Sequence, residues 1–101
     1  TVCGFKSMKK TKYHVKATIQ FKREYKLAMK RGRDIQLLDD VIELLADGKQ
    51  LEEKYRDHPL SGRWEGSREC HILPDWLLIY RLNEGILTLT LSRTGSHSDL
   101  F

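Results

Sequence analysis

Three of the chain's four histidines, His58, His71 and His97, fall in its C-terminal half beside Asp75, Arg93, Trp76 and Phe101. They occur as His58-Pro59, as His71 followed by Pro74-Asp75-Trp76, and as Arg93-Thr94-Gly95-Ser96-His97 running to Phe101. Imidazole and carboxylate exchange protons near neutral pH, and a guanidinium holds a phosphate. Such a set suits metal-free cleavage of RNA. That reaction needs a base for the 2′-hydroxyl proton, an acid for the leaving 5′-oxygen and a cation for the charge that develops on phosphorus. An aromatic ring can hold a splayed base by stacking, and Trp76 and Phe101 look exposed at the edges of strands.

Each residue also has a plainer reading. His71 can be a surface histidine, Asp75 can serve the turn beside Pro74, and Trp76 can be core. Arg93 can pair with a carboxylate, and His58 can be a packed loop residue. His97 and Phe101 can belong to a loose tail. Three histidines and an aspartate can also bind zinc. Their spacings match no compact ligand motif, however, and the expectation is no metal and no cofactor. No glycine-rich loop precedes a helix to cradle a nucleotide triphosphate, and no Ser or Cys has a nucleophile's setting.

With 101 residues the chain fits one domain. Hydrophobic residues make up 40% and charged residues 32%, with a net charge of +4, a balance that favours a polyanionic partner. Cys3 and Cys70 are too few for a disulfide framework, which makes a reducing cytoplasm the default. No apolar run reaches the ~18 residues of a membrane span, and no signal peptide opens the chain. Met8-Lys9-Lys10 resembles a natural start. Residues 1–12 are therefore expected to be a flexible N-terminal extension, with the domain over 13–101.

These groups need elements to position them. Alternating Tyr13, Val15 and Ala17 read as a strand. Thr18 then caps a helix whose Phe21, Tyr25, Ala28 and Met29 face the core. Lys22, Arg23, Lys26, Lys30 and Arg31 lie along a neighbouring face, either as a solvated surface or as a stripe that tracks phosphates. Gly32 stops this helix and Asp34 caps a second, with Ile35, Leu38, Val41, Ile42 and Leu45 inward and Gly48 at its end. The short connection makes an antiparallel helical hairpin. Residues 49–66 read as a long ordered loop. Three strands follow: Arg68 to Ile72, Trp76 to Leu82, and Ile86 to Arg93 after an Asn83-Glu84-Gly85 turn. In the last, Leu87, Leu89 and Leu91 point inward, and by parity so does Arg93. The expected fold is α+β: an N-terminal strand and a helical hairpin packed on a mainly antiparallel four-stranded sheet. Hairpin pairing then brings His71, Asp75, Trp76, Arg93 and His97 to one edge of the sheet.

The stretch Tyr55-Arg56-Asp57-His58-Pro59-Leu60 with Gly62, Trp64 and Gly66 resembles the signature of the YafQ-type toxins of the RelE superfamily. So do His71, Pro74-Asp75-Trp76, Ile79-Tyr80 and Arg93-Thr94-Gly95-Ser96-His97. The likeness runs from about Tyr13 to Phe101, and in the two helices it is one of pattern only. It implies a RelE-like fold and an mRNA endonuclease that cuts translated message in the ribosomal A site without a metal. It also implies a cytoplasmic type II toxin with a DinJ- or RelB-like antitoxin, reaching DNA only through the complex. The functional residues it implies are His58, His71, Asp75, Trp76, Arg93, His97 and Phe101. On this reading His97 is the acid, and Asp75 or His71 the base. Arg93 stabilises charge, Trp76 and Phe101 shape the base pocket, and the lysine stripe docks ribosomal RNA. Two rivals are a non-cleaving inhibitor of ribosome or topoisomerase on the same scaffold, and a purely structural subunit of a transcription-regulating complex.

Overall fold

The computed structural model describes residues 11–101; residues 1–10, with Met8, Cys3 and most of the expected extension, lie outside the described residues. The elements run β1 (His14–Ala17), α1 (Ile19–Lys30), α2 (Ile35–Ala46), β2 (His58–Pro59), β3 (Arg68–Leu73), β4 (Trp76–Asn83), β5 (Thr88–Gly95) and α3 (His97–Leu100). The sheet order is β1-β5-β4-β3-β2, with β1 parallel to β5 and the other pairs antiparallel. The fold is α+β as expected, but the sheet has five strands rather than four. The additional strand is β2, inside the segment read as a loop. Two residues carry no periodicity, and β2 exists only because His58 and Pro59 pair with Glu69 and Arg68.

Local chemistry sets the helix limits. Thr18 Oγ1 accepts from the Phe21 amide at 3.0 Å, and Asp34 accepts from that of Gln36 at 3.3 Å. Gly32 and Gly48, with φ of +79° and +77°, let the chain turn off α1 and α2. Of the residues expected inward on α1, Phe21, Tyr25 and Ala28 are buried, but Met29 is exposed.

β4 explains its own continuous apolar run. Trp76, Leu78 and Tyr80 face the helical hairpin in the main core, while Leu77 and Ile79 pack on the opposite face under Leu100 of α3. Two corrections fall on β5. Leu87 lies in the preceding turn at φ +48° and is exposed, so the strand begins at Thr88. Further along, Tyr80 pairs with Leu91 and Ile79 with Arg93, which leaves Ser92 as an extra residue. That bulge reverses the alternation. Thr94, opposite Leu78, takes the helix-facing position that parity assigned to Arg93.

Candidate active site

Four rings form a row over the sheet face opposite the helical hairpin. The centroids of His58 and His71 are 6.3 Å apart, those of His71 and His97 5.9 Å, and those of His97 and Phe101 6.3 Å. Strand geometry places the first two. His58 pairs with Glu69 across β2 and β3, and His71 lies two residues beyond Glu69, so all three side chains share a face. Helix geometry places the other two, because residues four apart on α3 are neighbours.

The short α3 is pinned at its start. Ser96 and Asp99 form a capping box, with Asp99 Oδ2 accepting from the Ser96 amide at 3.0 Å and Ser96 Oγ accepting from the Asp99 amide at 3.2 Å. Asp75, in the β3–β4 turn, accepts from the His97 amide at 3.2 Å and faces its ring Nδ1 at 3.4 Å. The Asp99 carboxyl is held below its ordinary value, first by the Ser96 backbone, then by the Ser96 side chain, with Arg31 and Arg33 adding to the effect.

Two backbone carbonyls fix the buried end of the row. His58 Nδ1 lies 2.6 Å from the Arg56 carbonyl oxygen, and His71 Nδ1 lies 3.3 Å from that of Pro74. A carbonyl only accepts, so each Nδ1 carries a proton and each Nε2 is the basic atom of the neutral ring. Asp57, just before His58, was assigned no role from the sequence. It accepts from the Tyr80 hydroxyl and from Arg68 Nε and Nη2 at 3.4 and 3.3 Å, tying the approach to β2 onto β3 and β4. Burial, followed by the neighbouring Asp57, pushes the Tyr80 phenol far up and keeps it a donor. Burial likewise pushes the Cys70 thiol up, leaving it a core residue and no nucleophile.

A cleft of about 850 Å³ opens beside His71 and His97. Leu37, Tyr55, Ile72 and Leu73 give it apolar walls, and Lys54, Arg56 and Asp40 add charge. A splayed nucleotide fits such a mixture of apolar surface and cations.

Two expected members stand elsewhere. Trp76 is fully buried; its Nε1 donates to Thr94 Oγ1 at 3.0 Å, and Arg33 stacks 5.0 Å from its ring. It therefore offers no face to a base, because every second residue of β4 from Trp76 points into the main core. Arg93 is gripped by Glu24 of α1, with Nε 3.0 Å from both carboxylate oxygens and Nη2 2.7 Å from Oε2. The bulge at Ser92 turns it out of the expected parity and into a separate pocket of about 280 Å³, lined also by Arg23, Arg31 and Asp99. Lys22, Arg23, Lys26, Lys30 and Arg31 are exposed, and Arg31 lies 3.9 Å from Asp99. Among the described residues, no group of three or more His, Cys, Asp or Glu is arranged to hold a metal ion. No helix of the described residues is long and apolar enough to cross a membrane.

The family model described as the bacterial toxin of type II toxin–antitoxin systems, YafQ, matches residues 13–101. The chain belongs to that family. It is 42% identical over 83 residues to the mRNA interferase toxin YafQ of Escherichia coli K12, spanning 81% of this chain and 88% of that protein. Its fold is similar to that of the E. coli DinJ–YafQ toxin–antitoxin complex, with a TM-score of 0.82 at 38% identity over 89% of this chain and 98% of that one. It is also similar to a metal-bound toxin from Helicobacter pylori, with a TM-score of 0.83 at 42% identity over 88% and 99% of the two chains. The RelE-like α+β fold expected from the sequence is the fold of these YafQ structures.

Proposed function

We propose that this YafQ-family toxin is an endoribonuclease that cuts translated mRNA in the ribosomal A site and so stops protein synthesis. Its site of action on this reading is the cytoplasm, where a DinJ-like antitoxin neutralises it. The observation that carries the proposal is the row of His58, His71 and His97, with Asp75 holding His97 beside a cleft of nucleotide size.

In the reaction, Nε2 of His71 takes the 2′-hydroxyl proton. The freed oxygen attacks phosphorus and the P–O5′ bond breaks. His97 then protonates the leaving 5′-oxygen, leaving a 2′,3′-cyclic phosphate. The His71 tautomer supports this assignment of the base, since Pro74 occupies Nδ1. Asp75 is engaged with His97, which suits it to orient the acid rather than to act as the base. His58 stands next to His71 as a second imidazole able to take the proton. Phe101 ends the row, exposed, where a base can stack.

Primer extension on a translated message tests the proposal. New 5′ ends in the presence of the chain, unaffected by excess chelator, support it. Ribosomes stalled without cuts would transfer the chain to the class of non-cleaving inhibitors.

A further inference from the structure

Glu69 is the only charged residue in the buried set of the described residues. It was not among the candidate residues, because in the sequence it reads as one half of a polar and apolar alternation in β3. In the fold its Oε1 lies 3.3 Å from His58 Nε2 and 3.7 Å from His71 Nε2. One carboxylate oxygen thus faces the basic atom of both rings.

A carboxylate removed from water is costly unless it is paired. Here the charges available to it are the two imidazoles. Both separations exceed the 2.7–3.2 Å range usual for a made N–H···O bond. The Nε2 lone pairs are therefore near the carboxylate without being consumed by it, and an incoming hydroxyl can still reach them. When either ring takes a proton, the new imidazolium forms within reach of a fixed negative charge that needs no solvent to rearrange. The two carbonyls at Nδ1 complete the arrangement, since they prevent the rings from adopting the other tautomer.

We propose that Glu69 is a positioning residue for the cleavage reaction. Its buried carboxylate is shared by His58 and His71, aligns both rings and balances the charge that develops when one of them removes the 2′-hydroxyl proton. The inference rests on the nuclease reading above. It explains why two histidines stand side by side: either ring can accept the proton against the same counter-charge.

Glu69→Gln in the full chain tests it with two independent readouts. The first is ring-nitrogen NMR of the free protein, with no ribosome present. The Nε2 signals of His58 and His71 should both move while those of His14 and His97 stay. The second is cleavage of ribosome-bound message. The kcat should fall roughly 10²-fold, the scale of losing a positioned proton-transfer partner, with KM little changed. Glu69→Asp, which keeps the charge one methylene shorter, should recover part of that loss. Unmoved ring signals, or moved signals with a normal kcat, overturn the proposal. If Glu69→Gln does not fold, Glu69→Asp decides: both rings shifted with a reduced kcat supports the role, and wild-type behaviour overturns it. If wild-type protein cuts no message, the nuclease reading fails on its own, and the ring signals alone decide whether Glu69 aligns the two histidines.

Discussion

Asp75 holds His97 twice, accepting from its backbone amide at 3.2 Å and facing its ring Nδ1 at 3.4 Å through the same oxygen. This contact joins the β3–β4 turn to the first residue of α3, and it aims the ring's Nε2 away from Asp75. His97→Ala should lower cleavage roughly 10²-fold or more, as expected for loss of a general acid. Antitoxin binding and the melting temperature should change little, because the ring is exposed. Asp75→Asn keeps an acceptor oxygen and should cost less. Single-turnover cleavage of ribosome-bound message measures both, and a near-normal rate for His97→Ala would remove that residue from the mechanism.

The capping box makes the placement of His97 sensitive to acid. Asp99's carboxyl is held below its ordinary value of 3.8 by Ser96. An acid whose folded-state pKa is depressed stabilises the fold fully above its unfolded value, and the contribution fades as pH falls through the folded one. The start of α3 should stay closed at neutral pH and fray only when the pH drops below 3.8. Amide exchange of residues 97–100 across that range measures it. Asp99→Asn should fray at neutral pH and show no acid step; an acid step retained in that variant would assign the titration to another group.

The helices, their caps and the three long strands were legible because each follows from a local rule. Thr18 and Asp34 cap, Gly32 and Gly48 stop, and β4 is apolar on both faces. The polar cluster was only half legible. His71, Asp75 and His97 meet because hairpin pairing requires it, and that follows from strand order. Arg93 and Trp76 were misplaced for physical reasons. One bulged residue, Ser92, reverses the parity of everything after it, and no composition marks it. Trp76 sits at a strand end where rim and core look alike in sequence. Glu69 was invisible because its importance comes from its partner across the sheet, His58, eleven residues away in an edge strand too short to show a period.

The exposed basic face of α1 should govern association with the ribosome and not the chemistry. Phosphate contacts release counterions, so affinity falls as salt rises. Lys22→Ala combined with Lys26→Ala should weaken ribosome binding and flatten its salt dependence, each lost phosphate contact lowering the slope by about one. The helix itself should tolerate the change, since like charges four residues apart oppose one another by about 0.2–0.5 kcal/mol. Sedimentation with ribosomes across a salt series provides the measurement. Unchanged binding at moderate salt would leave this face as ordinary solvated surface.

Trp76 and Phe101, paired in the sequence reading as base-holding aromatics, should separate cleanly under mutation. Trp76 has no exposed surface and donates to Thr94 Oγ1, which itself donates to the Leu77 carbonyl at 2.7 Å. Trp76→Ala empties a core site and should cost about 3–5 kcal/mol, seen as a large drop in melting temperature or loss of soluble protein. Phe101 is 62% exposed and touches the row only through His97. Phe101→Ala should leave stability within about 0.5 kcal/mol of the parent. If its ring stacks on a base of the message, cleavage should fall about 10- to 100-fold, matching the ~1–3 kcal/mol of a base–aromatic stack. Thermal melts and cleavage rates measured on the same preparations distinguish the two residues. A Phe101→Ala protein that cuts at the parent rate would end the row of working groups at His97.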